Sequence, residues 1–319
     1  MSQDDIVLLE GITMRVFVTG ASGHLGSAVL PELLTAGHQV VGLARSDAAA
    51  AAIEKLGGQV RRGDLSDVDG LHEEASAADG VIHLAFRHDL MQSGDLSGAA
   101  DADLSAITAI AGALEGSGKP FVGTSGTAML ARLGDLGRAG TERDVIAGGY
   151  RIDAENYVID LAERGVRSSV VRLTPTVHSS LDHHGFIPAV IAMARTHGYA
   201  AYVGDGANRW PAVHTLDAAR LYRLALENAP AGTRLHAVDD EGVAFADIAA
   251  TIGRHLDVPV RSISPEHAAG YFGFLAAFVQ LDNPTSSALT RQLLDWRPAR
   301  AGLIADLGAG HYFRTGVAD

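Results

Sequence analysis

Thr19-Gly20-Ala21-Ser22-Gly23-His24-Leu25-Gly26 decides the fold of this 319-residue chain. An apolar run, Met14-Arg15-Val16-Phe17-Val18, precedes it and reads as a strand. Ser27-Ala28-Val29-Leu30-Pro31-Glu32-Leu33-Leu34 follows and reads as the first turns of a helix. Strand, glycine turn and helix in that order make an anion site, because backbone N–H groups and the positive end of the helix dipole converge on one spot. A side chain in place of the glycines would hold a ligand off the backbone or clash in the tight turn. The spacing is Gly-x-x-Gly-x-x-Gly rather than Gly-x-Gly-x-x-Gly. Its context predicts a dinucleotide whose pyrophosphate is ringed by Gly20, Ser22, Gly23, His24, Leu25 and Gly26.

Outward from that turn, strand-like and helix-like segments alternate. Strands are expected at 15–19, 38–44, 59–62, 80–85, 119–124 and 167–173, and helices at 25–36, 47–57, 68–77, 99–116 and 150–165. Such alternation implies an α/β fold, a doubly wound parallel sheet of the Rossmann type. The run Gly80-Val81-Ile82-His83-Leu84-Ala85 is apolar on both faces, as a strand between two helical layers should be. The second half is less regular, with helices expected at 215–228, near 244–256 and near 268–280. The organisation expected is an extension over 1–13, a nucleotide-binding domain over 14–176 and a smaller, mainly substrate-binding region over 177–319. Segments at about 211–240 are expected to return to the main sheet.

Composition bounds the function. Lys and Arg total 25 against 38 Asp and Glu, a net charge of −13, so nucleic acid and anionic membranes are poor partners. There is no cysteine, which removes disulfides, thiolate catalysis and Cys-based zinc sites and suits the cytoplasm. The N-terminus Met1-Ser2-Gln3-Asp4-Asp5 is acidic where a secretory signal would be basic. The apolar stretch 271–279 is too short to span a bilayer.

The second strand ends Ala44-Arg45-Ser46. NAD-binding proteins place a carboxylate about 20 residues past the glycine turn; here an arginine and a hydroxyl stand there. A guanidinium forms charge-assisted hydrogen bonds with a 2′-phosphate, so Arg45 and Ser46 favour NADP(H) over NAD(H) unless Asp47 swings in to hold a ribose diol. The glycine spacing resembles the short-chain dehydrogenase/reductase superfamily, in its extended and atypical branches, which include epimerases, dehydratases and ketone reductases. The resemblance runs from Met14 over most of the chain. It implies that Asp64 and Leu65 take the adenine and that Leu84, Ala85 and Phe86 run beside the cofactor, with Thr124 at the neighbouring strand tip. It also implies pairing into a homodimer through helices.

Carbonyl reduction needs a proton donor near the carbonyl oxygen and groups that hold that oxygen. The superfamily uses a serine or threonine, a tyrosine, and a lysine four residues after the tyrosine. Thr124-Ser125-Gly126-Thr127 puts glycine where the serine is expected, leaving Thr127, Ser125 or Thr124 to serve. Tyr150 is the candidate acid, but Ala154 stands four residues on; one residue later, Arg151 and Glu155 replace tyrosine and lysine. Arg172 is read either as part of a loop meeting the nicotinamide or as a buried ion pair. His178, Arg209 and Trp210 are candidate substrate contacts. His178, Asp182, His183 and His184 match no metal-ligand spacing, and no metal is expected. The leading expectation is an NADPH-dependent oxidoreductase acting on a small carbonyl or alcohol. The alternatives are a sugar-nucleotide epimerase or dehydratase, and a sensor that holds NADP without chemistry.

Overall fold

The computed structural model describes residues 13–314; the expected extension, apart from Thr13, lies outside the described residues. Twelve strands are described: β1 (Arg15–Thr19), β2 (Gln39–Ala44), β3 (Gln59–Arg62), β4 (Gly80–His83), β5 (Pro120–Gly126), β6 (Arg167–Leu173), β7 (Thr176–His178), β8 (Ala200–Val203), β9 (Arg209–His214), β10 (Thr233–Ala237), β11 (Asp240–Ala244) and β12 (Val260–Ile263). The helices are α1 (Gly26–Thr35), α2 (Asp47–Lys55), α3 (Val68–Ala77), α4 (His88–Ser93), α5 (Leu96–Leu114), α6 (Ile152–Asp160), α7 (Phe186–His197), α8 (Thr215–Asn228), α9 (Phe245–Leu256), α10 (Pro265–Phe272), α11 (Ala288–Leu294) and α12 (Leu303–Gly308). None is long and apolar enough to cross a membrane among the described residues.

Seven strands form one parallel sheet in the order β10-β6-β5-β4-β1-β2-β3. The doubly wound α/β fold is therefore present. Chain direction across the sheet reverses between β1 and β4, so a crevice opens at their C-terminal ends, where open α/β sheets take ligands. The centre of the sheet is dry: Val16, Phe17, Val18, Val81, Ile82, Phe121 and Val122 are wholly buried. One face is covered by an apolar cluster from α1 and α8 that also takes in Leu294 and Trp296; the other by one from α3, α5 and α6. A third cluster, drawn from α7, β8, β9, α9, α10 and α12, makes a separate core around Trp210, Phe245 and Phe272. It carries a three-strand sheet, β11-β9-β7, and a two-strand sheet, β12-β8. β10 pairs in parallel with β6 and so brings the second half of the chain to the edge of the large sheet.

Some boundaries differ from expectation for local reasons. α5 starts at Leu96 because the Asp95 carboxylate caps it, accepting from Gly98 N at 2.9 Å. The helix expected over 150–165 is α6 followed by a 3₁₀ turn over Leu161–Arg164, and it cannot start before Ile152 because Gly149 and Arg151 hold positive φ. The single helix expected over 268–280 stops at Gly273, whose φ of +52° ends α10 ahead of two 3₁₀ turns. The short α4 and the amphipathic α7 were not legible by pattern.

Candidate functional site

The glycine turn lies at the C-terminal end of β1. Gly20 has φ +70°, and a Cβ there would stand 2.7 Å from Ala85 N, so the turn presses directly on the backbone leaving β4. A Cβ on Gly26 would collide with the Gly20 carbonyl oxygen and Ala21. Gly23 N donates to Gly20 O at 3.0 Å and closes the turn. Leu25 enters α1 with no side chain capping the helix, so its first turn keeps N–H groups for an anion. Ser22 is exposed and His24 half-buried at the same mouth.

At the end of β2, Arg45 is exposed, and among the described residues it makes no hydrogen bond or ion pair. Ser46 caps α2, its Oγ accepting from Ala49 N at 3.2 Å. Asp47, the residue that could have served a ribose diol, is turned to Arg62. The Asp64 carboxylate accepts from Ser66 Oγ and N; these bonds, with Arg87 and Arg45 nearby, hold it below the usual carboxylate range. Leu65 is half-buried beside it. Among the groups that would flank an adenosine, Arg87 is paired with Asp89 and Arg62 with Asp47, which, among the described residues, leaves Arg45 as the free cation there.

The tips of β4 and β5 converge on the other side of the crevice. Thr19 Oγ1 bonds His83 Nδ1 at 2.9 Å, and His83 Nε2 bonds the buried Asp103 carboxylate at 3.1 Å. Ala85 N donates to Thr19 Oγ1, which fixes the backbone of Leu84-Ala85-Phe86 against the glycine turn. Sequence reasoning missed this relay; a histidine inside an otherwise apolar strand was its only signal.

Arg151 stands in the left-handed region at φ +60° and caps α6. For an arginine this is a strained conformation, costing on the order of 1–3 kcal/mol, which marks a position held by its surroundings. Its guanidinium lies 4.0 Å over the Phe86 ring, and Nη2 donates to Thr124 O at 3.2 Å. Tyr150 meets Phe86 edge-on at 6.3 Å. Burial raises the Tyr150 phenol above its ordinary value; Arg151 pulls it partly back. Tyr150 Oη and Arg151 Nε are buried without a hydrogen-bond partner in the described structure, whereas Ser125 Oγ turns to the buried Glu155 carboxylate. Buried polar atoms without partners are costly, and two on adjacent residues against Phe86 mark a place for a polar ligand. Together with the cradle that only glycine allows, they fit a dinucleotide lying from Arg45 to Tyr150.

Glu155 is not at this opening. It is buried, bridging Arg172 at 2.6 Å and Arg234 at 2.8 Å. Burial pushes its carboxyl up, but Arg172, Ser125 and Arg234 outweigh that and hold it low. Arg172 is accordingly a buried ion-pair partner rather than an open loop contact.

Several expected side chains are turned elsewhere. Thr127 is fully buried and donates to Asn283 Oδ1 at 3.2 Å, while Asn283 Nδ2 returns a bond to Thr127 O. Its one hydroxyl proton is committed there, so Thr127 is corrected from a free polarising hydroxyl to a clamped one. Thr124 Oγ1 is likewise satisfied, by His83 O and the Tyr222 hydroxyl. Trp210 is corrected from a substrate contact to a core residue: its ring packs on Phe245, and Nε1 donates to Phe278 O. His178 lies in β7, wholly buried, with Nδ1 on Asp306 at 2.9 Å. Arg209 is exposed in a bidentate pair with Asp282. Asn283, read in the sequence only as part of a chain break, was missed. Among the described residues no three His, Asp or Glu side chains are grouped to hold a metal ion.

Comparison with known proteins bears on this geometry. The family model described as "NAD dependent epimerase/dehydratase family" matches residues 16–238. An uncharacterized protein of Schizosaccharomyces pombe, C2A9.02, is 45% identical over 300 residues, covering 94% of this chain and 100% of that one. A 4-hydroxy-2-methyl-3-oxo-4-farnesyl-3,4-dihydroquinoline-1-oxide ketoreductase of Stigmatella aurantiaca is 29% identical over 231 residues, covering 69% of this chain and 66% of that one. Among solved structures, UDP-glucose 4-epimerase of Thermotoga maritima superposes with a TM-score of 0.76 at 18% identity, covering 94% and 98% of the two chains.

Proposed function

Because this chain belongs to the NAD dependent epimerase/dehydratase family, we propose that it is a reductase that uses NADPH to reduce a small ketone or aldehyde. The bound dinucleotide supplies hydride at its nicotinamide; the chain supplies the proton and the positioning. The observation that carries the reading is Tyr150 Oη, buried, without a partner and held protonated, next to the Arg151 guanidinium. A protonated phenol is the right state for donating to a developing alkoxide. Arg151 takes the part for which the family resemblance implies a lysine: a fixed positive charge beside the phenol. Of the hydroxyls at the β5 tip, Ser125 is the candidate to hold the carbonyl oxygen, in competition with the Glu155 carboxylate it faces. Gly20, Ser22, Gly23, His24, Leu25 and Gly26 would cradle the pyrophosphate, with Asp64 and Leu65 at the adenine and Ala85 and Phe86 beside the nicotinamide. Arg45 and Ser46 support the choice of NADPH, and Asp47, the carboxylate that would oppose it, pairs with Arg62 at the surface. In this reading the 14–176 part holds the cofactor and the 177–319 part shapes the substrate pocket. The ketoreductase name of one relative supports the reaction class.

The test is turnover of NADPH and NADH on a panel of ketones and aldehydes, with wild type and Arg45→Asp. NADPH-dependent reduction, and a much larger loss of NADPH than of NADH binding in the variant, supports the reading. NAD retained through purification with no net consumption would move the protein to the epimerase class. Nucleotide binding without turnover, unchanged by Tyr150→Phe, would make it a sensor.

A further inference from the structure

The glycine turn carries a titratable pair that hydride chemistry does not use. His24 is the only ionisable side chain between Thr19 and Gly26, and no Lys or Arg lies in that stretch. Its Nε2 lies 2.8 Å from Thr215 Oγ1, and its Nδ1 faces Asp182 Oδ1 at 3.8 Å. Thr215 Oγ1 also donates to the His178 carbonyl at 3.1 Å and accepts from Ser179 Oγ at 2.8 Å. A hydroxyl has one proton. With that proton on His178 O, Thr215 can only accept from His24. So Nε2 carries the imidazole hydrogen, and Nδ1 presents a lone pair to a carboxylate oxygen. The contact is complete only when one more proton sits in the pair.

Before a ligand arrives, the surroundings favour Asp182 as the holder of that proton. Burial raises the Asp182 carboxyl to about 6, against hydrogen bonds from Gly185 N and the Tyr312 hydroxyl. Burial, followed by His183, His178, His184 and His214, lowers His24 to about 4. Asp306 is the other carboxylate in this cluster and is engaged by His178. We propose that His24 becomes the cation of the glycine turn when a dinucleotide binds, its Nδ1 taking the pair's proton so that an imidazolium stands between Asp182 and the pyrophosphate. This rests on the dinucleotide reading above. Above the Asp182 value the free pair is empty, so the proton is drawn from solvent and affinity falls as pH rises. Below it the proton is already present and passes from Asp182 to His24, so the dependence flattens.

Calorimetric titration of NADP⁺ into the full chain near neutral pH, in two buffers of different protonation enthalpy, counts protons taken up. The ligand's own 2′-phosphate titrates near pH 6 in every variant and cancels against His24→Gln, whose amide can still donate to Thr215 but takes no proton. The expected result is up to about one proton more for wild type than for H24Q, with wild-type affinity falling up to about tenfold more per pH unit. Asp182→Asn, which can still accept from Gly185, is expected to lose the same uptake and serves if H24Q does not fold. Equal proton counts in wild type and the variants would overturn the proposal. No binding of NADP⁺ or NAD⁺ at any pH is a different failure: it removes the dinucleotide reading itself, and this inference with it.

Discussion

At the scale of single residues, chemistry and stability separate cleanly between neighbours in sequence. Tyr150 and Arg151 are half-buried against Phe86, whereas Glu155, one helical turn on, is buried in ion pairs with Arg172 and Arg234. Tyr150→Phe should lower the rate of carbonyl reduction by about 10²–10⁴ with little change in KM, measured by steady-state NADPH oxidation. Because burial raises the phenol above its ordinary value, reduction by wild type should stay flat through the neutral range. Glu155→Ala leaves two arginines without their shared carboxylate and should cost about 3–5 kcal/mol in urea unfolding. The sign of its pH dependence follows from the lowered Glu155 value. Its contribution is fully present above the unfolded-state carboxylate pKa and is lost as pH falls through the lower folded value. Spacing alone could not assign these roles, because it left the register of the tyrosine motif open between Tyr150 and Arg151. The positive φ at Arg151 is a tertiary outcome, and both Arg151 and Tyr150 end up against Phe86.

At the scale of elements, the β1–turn–α1 unit is where local sequence is most decisive. Gly26 is required by contact with other backbone, and Gly20 both by contact and by its φ of +70°. Gly26→Ala should disrupt the turn and weaken nucleotide binding at least tenfold, since its Cβ collides with the carbonyl oxygen of Gly20. Gly112, exposed within α5 with only His72 near, offers the opposite case. Gly112→Ala should stabilise the chain by about 0.5–1 kcal/mol, read as a raised urea midpoint, because it removes backbone freedom from the unfolded state without a clash. Six of the seven strands of the large sheet were legible from the alternation with helix signals; β10 was expected only as part of a segment returning to the sheet. α7 and the 3₁₀ turns after α10 were not: their apolar residues face a core made of distant segments, and periodicity in a punctuated stretch is weak.

At the scale of the whole molecule, the two halves of the chain are built into one another. Trp296, near the C-terminal end, is wholly buried in the cluster under α1 and α8, and its Nε1 donates to Asp217 O at 3.0 Å. Trp296→Ala should cost about 3–5 kcal/mol and lower the melting temperature of the large-sheet half along with the rest. Asn283 reaches from the second half to clamp Thr127 at the tip of β5, and Thr215 and Asp182 reach to His24 in the first loop. The sequence by itself determined the α/β alternation, the parallel sheet and the anion-binding turn, because each depends on residues within about 30 positions of one another. Only the tertiary structure decided that Thr124 and Thr127 are clamped at the β5 tip, that Arg151 is the cation beside Tyr150, and that Trp210 belongs to the core. Those outcomes depend on side chains brought together from 24 to 156 residues apart or on one backbone angle. Burial and hydrogen-bond partnership, which set a group's chemistry, are properties of the assembled neighbourhood rather than of the string.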